Sequence, residues 1–369
     1  MNFDFSEDEK LVRDQTARLL ADRCDSKAVR EVLEGRAPYA RAVWQGLCEM
    51  GLPGTAIPEA YGGVEAGYLT LCLVAQALGA AVAPTPFSSS VYLVAEAVRL
   101  FGTEAQKQSL LPKLADGSCI GALAVTEGRT EPDLNALACQ VRAGRVSGNK
   151  FAVADGGIAD VLLVAAGGDS GAGLYLVSTD AAGVTRSRLE TVDPTRDTVS
   201  VAFSDAAAEL LGDTGGQGAA QLARLYDRAA VLFAFEQIGG AQSALDMAVG
   251  YARERFAFGR PIGSFQGLKH MMADMYVALK LAESNCYYAA WALATDAPEL
   301  PLAAATARVS ATQAYQLCSR DNIQVHGGMG FTWEFDCHLY YRRSNYLALQ
   351  LGGLSVWENK LVNALPSAA

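Results

Sequence analysis

Two stretches of the C-terminal half, YARERFAFGRPIGSFQGLKH (251–270) and DNIQVHGGMGFT (321–332), decide how the chain folds. In the first, an amphipathic helix runs into Arg255-Phe-Ala-Phe258-Gly259, turns at Pro261 and Gly263, and restarts at Phe265-Gln266. In the second, a helix gives way at Gln324-Val-His-Gly327-Gly328 to a tight glycine turn. Backbone N–H groups without side chains around them can approach an anion there. Taken singly, the arginine reads as a solvated helix end and the glycines as a C-cap followed by a loop. Together, in an all-helical region, they point to a phosphate-bearing cofactor pinned by an arginine and backbone amides.

Outward from these motifs the helical period runs from about 218 almost to the end. Leu222, Leu225, Ala229, Leu232 and Phe233 form one apolar stripe, and others follow through 265–295, 300–325 and 338–365. Between about 119 and 218 the texture differs. IGALAV, GRVSGNKFAV, DVLLVAA, GLYLVS, VTRSRL and VSVAFS are short β-branched runs separated by Gly and Asp, which predicts an antiparallel sheet or small barrel. The first 118 residues read as helices. Ser6 and Glu9 form a capping box, GLPGTAIPEAYGG (51–63) is a turn, an apolar helix covers 68–83, another runs to Phe101-Gly102, and TEAQKQSLLPKL starts one more. The expected fold class is α+β, with domains at 1–118 (helical), 119–218 (β) and 219–369 (helical).

Composition narrows the function. The chain has 369 residues, 51% hydrophobic and 19% charged, which excludes disorder and implies a large core and an apolar subunit interface. Forty acidic against 30 basic residues give a net charge of −10, the wrong sign for a nucleic-acid binder. The eight cysteines are scattered without CxxC spacing, and the three histidines have no ligand spacing, so no metal site is expected. The uncharged run Ala66–Ala95 is interrupted by Thr70, Gln76, Pro84, Pro86 and a Ser triplet, and reads as a buried helix followed by a loop rather than a membrane span. The acidic start MNFDFSEDEK has no apolar signal core, and the expected location is the cytoplasm. GDTGGQGAAQ (212–221) reads as an inter-domain loop, since it lacks the third glycine of a dinucleotide fingerprint.

The two C-terminal motifs resemble the flavin-binding motifs of acyl-CoA dehydrogenases, and the resemblance extends over essentially the whole chain. EMGLPGTAIPEAYGG (49–63) resembles the family's N-terminal turn, and GTEAQKQSLLPKLADGS (102–118) with Val125-Thr126-Glu127 resembles the entry to its β domain. The resemblance implies an N-terminal helical domain, a central antiparallel β domain and a C-terminal four-helix bundle that oligomerises. It also implies FAD shared between subunits. One subunit would give the flavin its β-domain contacts, at positions matching Thr126 and Phe151, and its neighbour those matching Arg255, Phe258, Gln266, Gln324, Gly327 and Gly328.

The β half departs from the family pattern. The Gly-rich stretch ending in Ser-Asp reads TEGRTEPD (126–133), with Pro132 at the serine, and the Trp-Ile-Thr strand reads Phe151-Ala152-Val153. Phe151 can still stack on a flavin, but Val153 cannot donate a hydrogen bond. The family chemistry also needs a carboxylate to take the acyl α-proton. A gapless count puts Leu351 at the usual glutamate. The alternative glutamate position, on the helix before the arginine motif, holds Ala229, and the arginine that follows it there is Ala230. Glu236, on that same helix in the apolar stretch LFAFEQIGG, is the weak candidate for a relocated base, or else the partner of an arginine across the bundle. Glu334 and Asp336 read as surface or capping residues.

Three functions follow from the resemblance. The first is a base-lacking subunit of a heteromeric acyl-CoA dehydrogenase, lending its Arg255, Gln324 and Gly327-Gly328 half to a flavin whose other half and catalytic glutamate belong to a homologous subunit, with an electron-transfer flavoprotein or similar acceptor. The second is a self-sufficient homo-oligomer with a relocated base, and the third a flavin-free paralogue that only binds a partner. DPTRDTVSVAF (193–203) and FTWEFDCHLYYRR (331–343) resemble members acting on bulky acyl-CoAs, including steroid side-chain thioesters.

Overall fold

The computed structural model describes residues 5–129 and 131–365; position 130 of the TEGRTEPD stretch lies outside them, as do the first four residues. Helix α1 (Glu7–Arg23) opens on Ser6, whose hydroxyl accepts from the Glu9 amide while the Glu9 carboxylate accepts from the Ser6 amide. Helices α2 (Ser26–Leu33) and α3 (Arg41–Glu49) follow, and the 51–63 turn becomes two short 3-10 turns, Leu52–Gly54 and Glu59–Tyr61. The apolar helix α4 (Gly67–Ala80) is where the hydropathy places it.

The segment after α4 departs from the expected loop. The Ser triplet starts a fully buried π-helix, Ser88–Ala95, which passes into α5 (Glu96–Phe101). The serines tolerate burial because each hydroxyl is bonded. Ser88 accepts from Arg196 at 2.8 Å, Ser89 donates to Asp155 at 2.6 Å, and Ser90 accepts from the Gly121 amide at 3.2 Å. Helix α6 (Glu104–Ala115) carries a second capping box, Thr103 with Gln106.

Eight strands form one sheet: β1 (Gly121–Ala124), β2 (Gln140–Arg142), β3 (Arg145–Ala154), β4 (Val161–Gly168), β5 (Gly171–Ser178), β6 (Val184–Arg188), β7 (Thr198–Ala207) and β8 (Glu209–Leu210). Their order is β6-β7-β3-β2-β4-β5-β8, and the pairings are antiparallel except along one edge of β4. There β1 runs parallel beside Val161–Val164, and β2 meets Gly167 in the same sense.

The chain then returns to helix: α7 (Gly218–Glu254), α8 (Gln266–Ala294), α9 (Leu300–His326), α10 (Cys337–Leu349) and α11 (Leu354–Ala364). A hairpin of β9 (Phe256–Ala257) and β10 (Arg260–Pro261) joins α7 to α8. The stripe over 338–365 is two helices, because Leu351 and Gly352 both take positive φ and end the helical run.

Two compact units emerge. One contains the chain up to Lys27, Tyr68–Ala83 and everything from Ala230 onward; the other contains Ala28–Gly67 and Pro84–Ala229. In the first, α4 and α7 cross at glycines: a Cβ added at Gly79 would collide with the Glu236 carbonyl, and one at Gly239 with the Gln76 carbonyl. Phe5, Phe235 and Tyr287 close the same core, with ring centroids 5.1–6.4 Å apart. In the second, Arg228 and Arg99 both bond the buried Glu96 carboxylate. All eight cysteines are free thiols. Among the described residues, no helix is long and apolar enough to cross a membrane.

Candidate functional site

The first unit carries both C-terminal motifs. Helix α7 ends as the Arg255 amide closes on the Tyr251 carbonyl at 2.9 Å, and the Arg255 carbonyl then accepts from the Ile262 amide at 2.8 Å. Those two bonds fold the chain back into the β9–β10 hairpin. Its loop is Phe258-Gly259, with φ of +54° and +78°, as a two-residue primed turn requires. A phenylalanine at positive φ is unusual, and this ring is 94% exposed. It meets Phe265 edge-on at 6.1 Å, and the Arg260 guanidinium lies 4.1 Å over the Phe265 ring. Phe265 is also the N-cap of α8 and supplies no side-chain cap, so the opening amides at Gln266 lack one. Arg255 and Gln266 are both exposed.

Helix α9 ends at His326. Gly327 follows at φ 59° and ψ −138°, and its amide returns to the Gln324 carbonyl. A Cβ added at Gly327 or Gly328 would meet open space, and both residues are exposed with Gln324, so the backbone of the turn is open to a ligand. The two motif ends are tied by aromatic contacts. Tyr251, one turn before Arg255, stacks on His326, one residue before Gly327, at 4.1 Å and 23°. Phe335 meets both rings nearly edge-on at 6.0 and 5.6 Å. A guanidinium, an uncapped helix start and an open glycine turn make a donor set that fits a diphosphate.

His326 makes the α9 turn pH-sensitive. Burial lowers its pKa below the ordinary histidine value of 6.5, against the opposing effect of its 2.8 Å hydrogen bond to the Asn322 carbonyl. The unfolded chain therefore binds the proton more readily, so this contribution to stability is present above pH 6.5 and is lost as pH falls below it. The expected result is a steeper loss of stability from pH 7 to 5 in the wild type than in His326→Phe, which keeps the stacked ring. Parallel urea curves for the two would refute it.

The second unit carries Thr126 and Phe151. The Phe151 amide donates to the Thr126 carbonyl at 2.7 Å, so the structure joins these two residues directly. The β3–β7 register shifts between Lys150 and Val153, and Ala152 sits at φ +55°. This bulge turns the strand and leaves Phe151 36% exposed, while Val153 is buried. Beside it, Lys150 is fully buried, and its ammonium donates to the Val125 carbonyl at 2.9 Å and to Glu127 at 2.8 Å. Glu127 also accepts from the Ala138 and Cys139 amides at 2.7 and 2.9 Å. Burial raises the Glu127 carboxyl, but these hydrogen bonds outweigh it and hold it below the ordinary carboxylate range. Burial likewise pulls the Lys150 ammonium down, against the attraction of Glu127. Lys150 escaped the sequence reading, although its place four residues after the buried Val146, on the same face of β3, was the available signal.

The places where a base would stand hold no carboxylate. Ala229 and Ala230 are fully buried in α7. Leu351 is 9% exposed at φ +61°, and its carbonyl accepts from the Trp357 indole at 3.2 Å. Arg308 holds the segment leading to it, donating to the Leu347 carbonyl and, at 2.8 Å, to that of Gln350. Glu236 is 3% exposed and lies 3.6 Å from Arg343. Asp336 begins α10 and accepts from the Ser26 hydroxyl at 2.7 Å, and Glu334 is exposed.

Comparison with known proteins adds an independent line. The family model for the acyl-CoA dehydrogenase N-terminal domain matches residues 6–118, and that for the acyl-CoA dehydrogenase C-terminal domain matches 216–353. Acyl-CoA dehydrogenase IpdE2 of Mycobacterium tuberculosis is 34% identical over 92% of this chain and 91% of its own. Among solved structures, a chain of the ChsE4–ChsE5 complex from Mycobacterium tuberculosis superposes with a TM-score of 0.91 at 26% identity over 100% of both chains. A chain of the Tcur3481–Tcur3483 steroid ACAD gives 0.88 at 29% identity over 97% of each.

Proposed function

Because the chain belongs to the acyl-CoA dehydrogenase family of oxidoreductases, we propose that it serves FAD-dependent α,β-dehydrogenation of a bulky acyl-CoA thioester as the base-lacking subunit of a heteromeric enzyme. The observation that carries this reading is the lack of a carboxylate at Leu351 and Ala229 beside an intact diphosphate-binding set at Arg255, Gln324, Gly327 and Gly328. Glu236 faces Arg343, which gives it a structural partner and supports placing the base on another subunit. The ChsE4–ChsE5 complex and the Tcur3481–Tcur3483 steroid ACAD are each described by two named components, and that pairing favours a homologous partner and a steroid-type or similarly bulky acyl group here.

In this reading Arg255 neutralises the diphosphate of FAD, the glycine turn lets backbone approach it, and Gln266 and Gln324 orient it. Phe258 offers a ring face toward that flavin, whose β-domain contacts come from the partner subunit; Thr126 and Phe151 are the matching positions of this chain's own β domain. When bound, FAD supplies the hydride acceptor, and an electron-transfer flavoprotein or similar acceptor reoxidises it. The partner's carboxylate takes the acyl α-proton. Within this chain Leu351 keeps the corresponding position apolar.

Arg255→Ala is the direct test. Loss of one charge-assisted contact is expected to weaken FAD retention by about 10–100-fold, read as flavin absorbance after gel filtration. Unchanged flavin content would remove the reading and leave a paralogue that only binds a partner.

A further inference from the structure

We propose that Arg260 is the second guanidinium of the diphosphate set, mounted on Phe265 so that it and Arg255 meet the FAD diphosphate together. The proposal rests on the reading above, in which this chain lends Arg255 and its glycine turn to the flavin.

The β9–β10 hairpin puts both arginines on one face. Arg260 pairs with Ala257 across the turn, and the Ile262 amide donates to the Arg255 carbonyl at 2.8 Å, so 255 and 262 face each other two residues further along. Side chains two apart on a strand share a face, and so do those directly opposite each other. Arg255, Ala257, Arg260 and Ile262 therefore occupy one side of the hairpin. The two arginines are diagonal neighbours there, roughly 7–8 Å apart, close enough for one diphosphate to meet both.

Arg260 is held in place before any ligand arrives. Its guanidinium lies 4.1 Å over the Phe265 ring, a cation–π contact that lowers the entropy lost when the side chain engages an anion. The Phe258 ring meets the same Phe265 edge-on at 6.1 Å. One side chain thus steadies both the arginine and the ring assigned to the flavin.

The charges around this hairpin call for an anion. In a chain of net charge −10, the segment 251–270 carries Arg253, Arg255, Arg260 and Lys269 against the single acid Glu254. Among the described residues, no carboxylate forms an ion pair with Arg255 or Arg260. Phe265 is also the N-cap of α8, where no side chain caps the opening amides and no acid stands in the first turn. A helix N-terminus already carries partial positive charge, so a guanidinium beside it is unfavourable until an anion neutralises both. The diphosphate brings one negative charge for each arginine.

The test uses the preparation that carries flavin, whether the chain with its homologous partner or the chain alone, stripped of FAD and titrated with it at low and at high salt. Arg260→Gln is expected to weaken FAD binding about tenfold and to flatten its salt dependence, because one screened charge contact is gone. Arg260→Lys keeps the charge and is expected to restore the salt dependence. Arg253→Gln is the control: it is exposed in the last turn of α7, outside the hairpin, and should match the wild type. Wild-type affinity and salt dependence in Arg260→Gln, beside a large loss in Arg255→Ala, would overturn the proposal and leave the function above in place. Weaker binding in Arg260→Gln with a wild-type salt dependence and a lower melting temperature would also overturn it, making Arg260 a brace of the hairpin alone. Wild-type FAD binding in both Arg255→Ala and Arg260→Gln would sink the function proposed above and this inference with it.

Discussion

Arg343→Met is expected to destabilise the chain by about 3–5 kcal/mol, because it strands a carboxylate already removed from water. Glu236 is 3% exposed and Arg343 fully buried, 3.6 Å apart, and Arg343 also donates to the Ala83 and Val82 carbonyls at 3.3 and 3.4 Å. A second guanidinium senses the same carboxylate: burial pushes Arg308 down to about 9, and the charge of Glu236 works against that shift. Glu236 therefore belongs to a buried layer of charge whose members depend on one another. Removing both partners, as Glu236→Leu with Arg343→Met, should recover most of the lost stability, since no orphaned charge remains. Urea denaturation of the two single variants and the double variant measures the coupling. An Arg343→Met curve superimposable on the wild type would free Glu236 from the fold and return it as a candidate base.

Gly239→Val is the other substitution with a large effect. Its side chain would enter the Gln76 backbone where α4 crosses α7, so a helix must move; about 3 kcal/mol is expected, at the upper end of overpacking penalties. Gly250→Ala on the same helix is the contrast, because a Cβ there meets open space. In a helix interior that exchange should stabilise by up to about 1 kcal/mol. Opposite shifts in melting temperature for the two variants establish the crossing as the determinant. A Gly239→Val protein as stable as the wild type would refute it. The crossing also concerns the site, since Glu236 lies three residues from Gly239 and its own carbonyl faces Gly79.

Much of this fold is legible in the chain, for local reasons. Ser6 with Glu9 and Thr103 with Gln106 announce helix starts because side chain and backbone satisfy each other within four residues. The six β-branched runs become strands because β-branched side chains suit a pleated surface and Gly and Asp bound each run. What escapes depends on distant partners or on short length. β2 and β8 span three and two residues, too few for a period. The Ser triplet looks like a loop until Arg196 and Asp155, far along the chain, bond its hydroxyls.

The site divides in the same way. Arg255, Phe258 and the 327–328 glycines stand out because turn geometry demands particular residues. The Tyr251–His326 stack that joins their two helices links positions 75 apart in sequence and leaves no local trace. The need of Glu236 for a partner could be read from its apolar surroundings, whereas Arg343 as that partner could not. Lys150 hides for a similar reason: a lysine ordinarily faces water, and the Glu127 carboxylate that pairs with it in the core comes from a segment 23 residues away.

The half-site reading is tested most directly by the visible absorbance spectrum of this chain purified alone and after co-expression with a homologous subunit that retains the glutamate. The predicted result is a colourless protein alone and a flavin band in the assembly. A flavin band near full occupancy in the chain alone would contradict it, placing a complete site on this polypeptide.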